Sequence, residues 1–179
     1  MINQAPLISI LNFDIQNPTF HLAGEFIRPK KPQIIMQLFQ SESEIESLIE
    51  KFNNATLPAE AWTHEAHLAM GVWHLRQYNL TQAMLLVRQR IILFNSSVGG
   101  VVSFERGYHE TLTWFWLKTV EAFLDRFGRE KTLLETCNVF LSSEYALRDR
   151  ALLFYQKEEV MSLEARAFLV LPTNTSRPF

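Results

Sequence analysis

The sequence predicts an all-α fold, a single-domain bundle of about six helices preceded by an irregular arm. Three observations carry this. Apolar residues recur at helical spacing from Leu38 onward, and strand-like alternation is nearly absent. Proline and glycine gather at Pro6, Pro18, Gly24, Pro29 and Pro32, ahead of the helical region, or punctuate the ends of apolar runs. The chain has 179 residues, 47% of them hydrophobic and 20% charged, the size and composition of one globular domain.

The elements follow in order. Residues 1–37 form a proline-containing arm, because proline removes a backbone donor and restricts the residue before it. LISILNF and TFHLAGEFI within it could make short strands or lie extended over a core. In SESEIESLIEKFN, residues Ile45, Leu48, Ile49 and Phe52 share one face, and Ser41 or Ser43 caps the start. A second helix spans about Trp62 to Tyr78 with Thr63 as N-cap, and a third about Thr81 to Asn95. The fourth, about Tyr108 to Phe127, is the most apolar and is read as central, with Gly128 as a left-handed terminator. Glu130 to Leu141 and Glu144 to Tyr155 make two more helices. SLEARAFL, capped by Ser162, is stopped by Pro172. The helical domain thus covers 38–172, and 173–179 form a tail expected to fray.

Composition excludes several functions. With 17 Lys+Arg against 19 Asp+Glu, the net charge of −2 argues against nucleic-acid partners, which require a basic face. The single cysteine, Cys137, allows no internal disulfide and reads as a buried structural thiol. No run approaches the roughly 20 apolar residues of a membrane span, so no membrane partner is expected. The opening MINQAPLISILNFD lacks the basic start of a secretion signal, so the cytosol is the expected address.

The chemistry concentrates in the histidines. His64, His67 and His74 fall within an arc of about 80° on the second helix. Neighbours at i, i+3 can reach one metal ion, whereas His74 lies roughly 10 Å further along the axis. Gly71 sits on the same face, where it costs up to about 1 kcal/mol relative to alanine, so a close neighbour or a ligand is expected against it. His64-Glu65-Ala66-His67 is not the zinc-protease spacing, and Glu65 points away from the histidine pair. GYHETLT, residues 107–113, opens the fourth helix. Either His109 or Glu110 could complete a three-ligand site with His64 and His67. Glu110 and Tyr108 are then candidates for acid/base or orienting roles. Against these stand plainer readings: His21 and His74 as ordinary surface or core histidines, and Trp62, Trp73, Trp114, Phe115 and Trp116 as packing. Arg88, Arg90, Arg148, Arg150 and Arg166 read as solvated or paired residues.

WTHEAHLAMGVWHLRQY, ILFNSSVG, GYHETLT and FYQKEEVMSLEARAFLVLP together resemble a largely uncharacterised family of small bacterial all-helical proteins. The family carries a TH-x2-HL element, a Tyr-Asn near the end of its third helix, GYHETLT, and a terminal S-x2-AR element closed by Pro-Asp. Matching positions here are Thr63, His64, His67, Asn95, Tyr108, His109, Glu110, Thr111, Thr113, Ala165 and Arg166. Phe94 replaces the usual tyrosine and Thr173 the usual aspartate. The resemblance implies that Thr63, Asn95, Thr111, Thr113 and Arg166 belong to the site beside the histidines.

The resulting expectation is a metal-dependent enzyme acting on a small polar substrate between helices. His64, His67 and His109 would bind one divalent metal (Zn, Fe or Mn), with Glu110 as fourth ligand or acid/base. A metal-free variant uses His64 or His109 as general base. The alternative is a non-enzymatic binding or regulatory module whose histidines form a buried hydrogen-bond network. A third is a scaffold protein that uses the apolar face of the third helix.

Overall fold

The computed structural model describes residues 38–99, 107–174, 176 and 179. The proline-containing arm, its two candidate strands and His21 lie outside the described residues. Among the described residues there are seven α-helices and no strand, an all-α bundle as predicted. None of the described helices is long and apolar enough to cross a membrane.

Helix α1 (Glu42–Asn53) starts where Ser41 accepts the Glu44 N–H, and it buries Ile45, Ile49 and Phe52 along one stripe. α2 (His64–Gln77) starts at Thr63, whose hydroxyl accepts from the Ala66 N–H at 3.2 Å. α3 (Leu80–Ser97) begins with a reciprocal box in which Asn79 and Gln82 satisfy each other's backbone N–H groups. α4 (Glu110–Phe127) and α5 (Leu133–Leu141) follow, the latter opened by the same device between Thr132 and Glu135. Two short helices, α6 (Lys157–Val160) and α7 (Leu163–Ala167), close the bundle.

The centre is shared by two helices. α2 packs against α1, α3, α4 and α5, while α4 packs against α2, α3 and α7. Nine of the fourteen α2 residues are buried, on all sides of the helix, which a single apolar stripe could not produce. The main core joins α1 to α5; a second one sets Leu112 and Phe115 of α4 against Phe154, Tyr155 and Val160. The outer face of α3 leaves Leu85, Ile92 and Leu93 about half exposed.

Two expectations need correction. Residues 144–155 form two 3-10 turns, Glu144–Ala146 and Arg150–Leu153, and not one α-helix. The cause is a competing bond: His64 Nε2 takes the Ala146 carbonyl, and Arg150 N–H turns to Leu147 O at 2.9 Å. Gly128 has a positive φ of 95°, but its ψ of 140° leaves the chain extended instead of in the left-handed helical turn. From there Arg129 reaches back to the Leu75 carbonyl at 2.7 Å. The described part of the tail is docked: Asn174 N–H binds Phe154 O at 3.1 Å, and the Phe179 ring stacks on Phe154.

Candidate functional site

Each α2 histidine is held by a backbone carbonyl, and the carbonyl sets its tautomer. His64 Nε2 donates to Ala146 O at 2.9 Å, with its ring edge-on to Trp116. His67 Nδ1 donates to Thr63 O at 2.6 Å, one turn back on its own helix. The His67 ring lies against Trp62, with centroids 3.9 Å apart. Trp62 precedes the cap Thr63, and His67 follows it by four positions, the spacing of a hydrophobic staple. His74 donates from Nδ1 to Met70 O, and its Nε2 accepts from Arg90.

His109 is the N-cap of α4. Its Nδ1 accepts from the Leu112 N–H at 3.2 Å, and its Nε2 donates to Val160 O at 2.9 Å. Both ring nitrogens are therefore committed. Burial pulls the pKa values of His67, His74 and His109 down to about 4, and that of His64 down as well, so all four stay neutral near pH 7.

The expected ligand set is not assembled. Among the described residues no group of three or more His, Cys, Asp or Glu side chains is placed to hold a metal ion. His64 is tied to the turn at Ala146, His109 to Val160, and His67 to Thr63. Glu110 is engaged elsewhere too: Tyr108 donates its hydroxyl to Oε2 at 2.7 Å, and Arg88 of α3 pairs with Oε1. Burial and the adjacent Glu110 carboxylate both push the Tyr108 phenol upward, so Tyr108 keeps its proton.

The remaining candidates divide by task. Thr63 is an exposed cap. Thr111 is fully buried; it donates to Phe168 O at 2.9 Å and accepts from Val170 N–H at 3.0 Å, strapping the C-terminal segment to α4. Arg166 donates to the Gly107 and Tyr108 carbonyls and fixes the turn that enters α4. Asn95 is buried, and its Oδ1 has no hydrogen-bond partner among the described residues.

What the fold does bring together is a cavity of about 50 Å³ between α2, α3 and α4. His67 and Gly71 of α2, Val87 and Ile91 of α3, and Trp116 and Val120 of α4 line it. Tyr108, His109 and Thr113 reach the same cavity, so of the sequence candidates four meet there, while Thr63, His64, Asn95, Glu110, Thr111 and Arg166 are not among its described lining residues. His67 Nε2 is buried and has no hydrogen-bond partner among the described residues. Because Nδ1 carries the proton, Nε2 presents a lone pair.

Gly71 contributes room. A Cβ built on it would meet Leu117 Cδ2 at 3.5 Å and Val120 Cγ2 at 3.6 Å, ordinary contact distances. Helix packing therefore does not require glycine there. The role of Arg90 at buried His74 escaped the sequence reading, because the two lie sixteen residues apart on different helices. The contact of Trp62 with His67 escaped it too, although the staple spacing on either side of Thr63 is the signal for it.

Comparison with family models, with curated proteins and with solved structures finds no match.

Proposed function

We propose that the protein binds a small molecule in the α2–α3–α4 cavity, among His67, Tyr108, His109 and Thr113. One observation carries this reading: a cavity of about 50 Å³ whose otherwise apolar wall includes His67, Tyr108, His109 and Thr113. Gly71 supports the same reading, since a mid-helix glycine costs up to about 1 kcal/mol and packing does not call for it. Mostly apolar walls with a few placed polar groups are the usual composition of small-ligand sites. This is the binding-module alternative of the sequence reading, moved from a histidine network to a histidine-lined cavity. Its test is to fill the cavity: Gly71→Leu should keep the helical circular dichroism and abolish the slowed hydrogen–deuterium exchange that a mixture of small polar fragments induces around Trp116. Fragment protection that survives the filled cavity would refute it.

The metal-dependent enzyme is the second reading, favoured by His67 Nε2, which has no hydrogen-bond partner among the described residues. It requires His64 and His109 to release Ala146 and Val160 and turn toward His67, leaving two buried carbonyls without donors. Metal analysis of untagged protein, beside His67→Ala, decides it: one equivalent of Zn, Fe or Mn lost in the variant supports the metal centre. The likeness to small bacterial helical proteins belongs to the same proposal, and the shared His67, His109 and Thr113 at one cavity are what support it. A cytosolic setting fits the lone thiol of Cys137, which burial pushes up to about 12.

A further inference from the structure

We infer that the outer face of α3 pairs with the same face of a second copy of this chain, antiparallel, about a two-fold axis at Gln89. The inference is independent of the cavity, which Val87 and Ile91 line from the opposite face of the helix. Three features of α3 carry it.

The first is exposure. At 100° per residue, Gln82, Leu85, Leu86, Gln89, Ile92, Leu93 and Ser96 fall within an arc of about 120° centred on Gln89. Within it Leu85, Ile92 and Leu93 are 59%, 48% and 52% exposed, although the inner face of the same helix is fully packed. A single exposed leucine needs no explanation, but aliphatic residues joined into one stripe mark an interaction surface.

The second is charge. The ionisable side chains of α3 are Arg88 and Arg90, which sit about 100° to either side of Gln89. Each is drawn away from the arc, Arg88 to Glu110 and Arg90 to His74. The arc itself carries no charge of either sign. An acidic or basic protein would find nothing to match there, and a nucleic acid or an anionic membrane would meet no basic row. What it fits is another uncharged apolar face.

The third is self-complementarity. In an antiparallel pair about a two-fold axis at Gln89, residues equally far before and after Gln89 stand at the same height. Leu85 then meets the partner's Leu93, Leu86 the partner's Ile92, and Gln82 the partner's Ser96. Gln89 meets its own copy, and two amides can each donate to the other's carbonyl. Apolar residues thus face apolar ones, and polar residues face uncharged polar ones. Parallel pairing would also bring like to like, but it aligns the two helix dipoles, which antiparallel pairing opposes. Four aliphatic residues a side fall well short of the roughly 20–30 residues of a standard interface, so the dissociation constant is on the order of 10 µM.

The experiment is analytical ultracentrifugation of the full chain from about 1 to about 300 µM, a range that brackets this constant. Expected is a weight-average mass that rises from 20.9 kDa toward twice that value. Leu85→Glu combined with Leu93→Glu sets carboxylate against carboxylate, and should weaken pairing by about a hundredfold or more with the helical circular dichroism unchanged. Leu85→Lys combined with Leu93→Glu sets opposite charges there instead, and should return it to within about tenfold of the native chain. Parallel pairing would not be rescued, because it meets lysine with lysine. Mild oxidation should link Gln89→Cys to its copy but not Gln82→Cys, whose two copies would lie roughly 21 Å apart along the axis. The native Cys137 is buried and does not compete. Linkage at both positions would overturn the antiparallel register. A mass that stays at 20.9 kDa throughout would overturn the inference. If Leu85→Glu also destabilised that monomer, the occupant of the face would be residues 1–37 and not a second copy.

Discussion

Replacing Gly71 by alanine separates a glycine kept for packing from one kept for space. In mid-helix the substitution gains about 0.8–1 kcal/mol from backbone propensity. The added methyl would lie 3.5 Å from Leu117 and 3.6 Å from Val120, touching both without forcing either to move. One more buried methyl contributes up to about 0.8 kcal/mol. The expected gain is therefore about 1–2 kcal/mol, or a rise of roughly 2–8 °C in Tm for a chain of this size. Urea unfolding followed by circular dichroism measures it, compared at equal m-value. The same variant should weaken binding in the cavity, because it removes part of a small volume. A loss of stability above about 0.5 kcal/mol would refute the reasoning, since it would mean that α2 and α4 need a bare backbone at this crossing. Gly128→Ala supplies the contrast. Its φ of 95° disfavours any side chain, and its Cβ would collide with the Glu130 carboxylate, so a loss of about 1–2 kcal/mol is expected.

Other outcomes follow from the same geometry. Thr111→Val removes both a donor to Phe168 and an acceptor for Val170, and should cost about 1–3 kcal/mol, with faster hydrogen exchange at Val170. His109→Ala should lose about 1–2 kcal/mol through the α4 cap, and His109→Asn should restore most of it, which a metal-ligand role would not allow. Acid should unfold the protein early. His67, His74 and His109 have folded pKa values of about 4 against about 6.5 when unfolded, so the unfolded chain binds more protons between these values. Their stabilisation is complete above about pH 6.5 and is lost as pH falls toward 4, by about 1.4 kcal/mol for each at pH 5.5. Urea midpoints at pH 7.5 and 5.5 check this; an unchanged midpoint would show that these imidazoles are solvated.

What the sequence made legible was local. Ser41, Thr63 and Ser162 cap their helices as expected, because an N-cap depends on residues only three positions apart. The α1 stripe is equally local. The break in residues 144–155 was invisible because its cause, His64, lies 82 residues upstream of the carbonyl that it captures. The same reason hid the commitment of His109 to Val160, 51 positions away. A histidine at a helix start reads equally as ligand or cap until its distant partner is known. Helical angles correctly placed His64 and His67 on neighbouring faces, but ring direction depends on which carbonyl each finds. Gly71 alone announced the cavity, as a residue out of keeping with its helix.

The ties at the start of α4 also bear on how the domain opens. His109, Thr111 and Arg166 join this one turn to segments 51 to 59 residues distant. Few of these bonds form until both ends of a long loop have met, which makes them late and cooperative. The C-terminal strap and the first turn of α4 therefore form one unit of partial unfolding, releasing together or not at all. Because Tyr108, His109 and Leu112 belong to that turn and border the cavity, exchange of the Val170 amide becomes a clock for how often the cavity wall lets go.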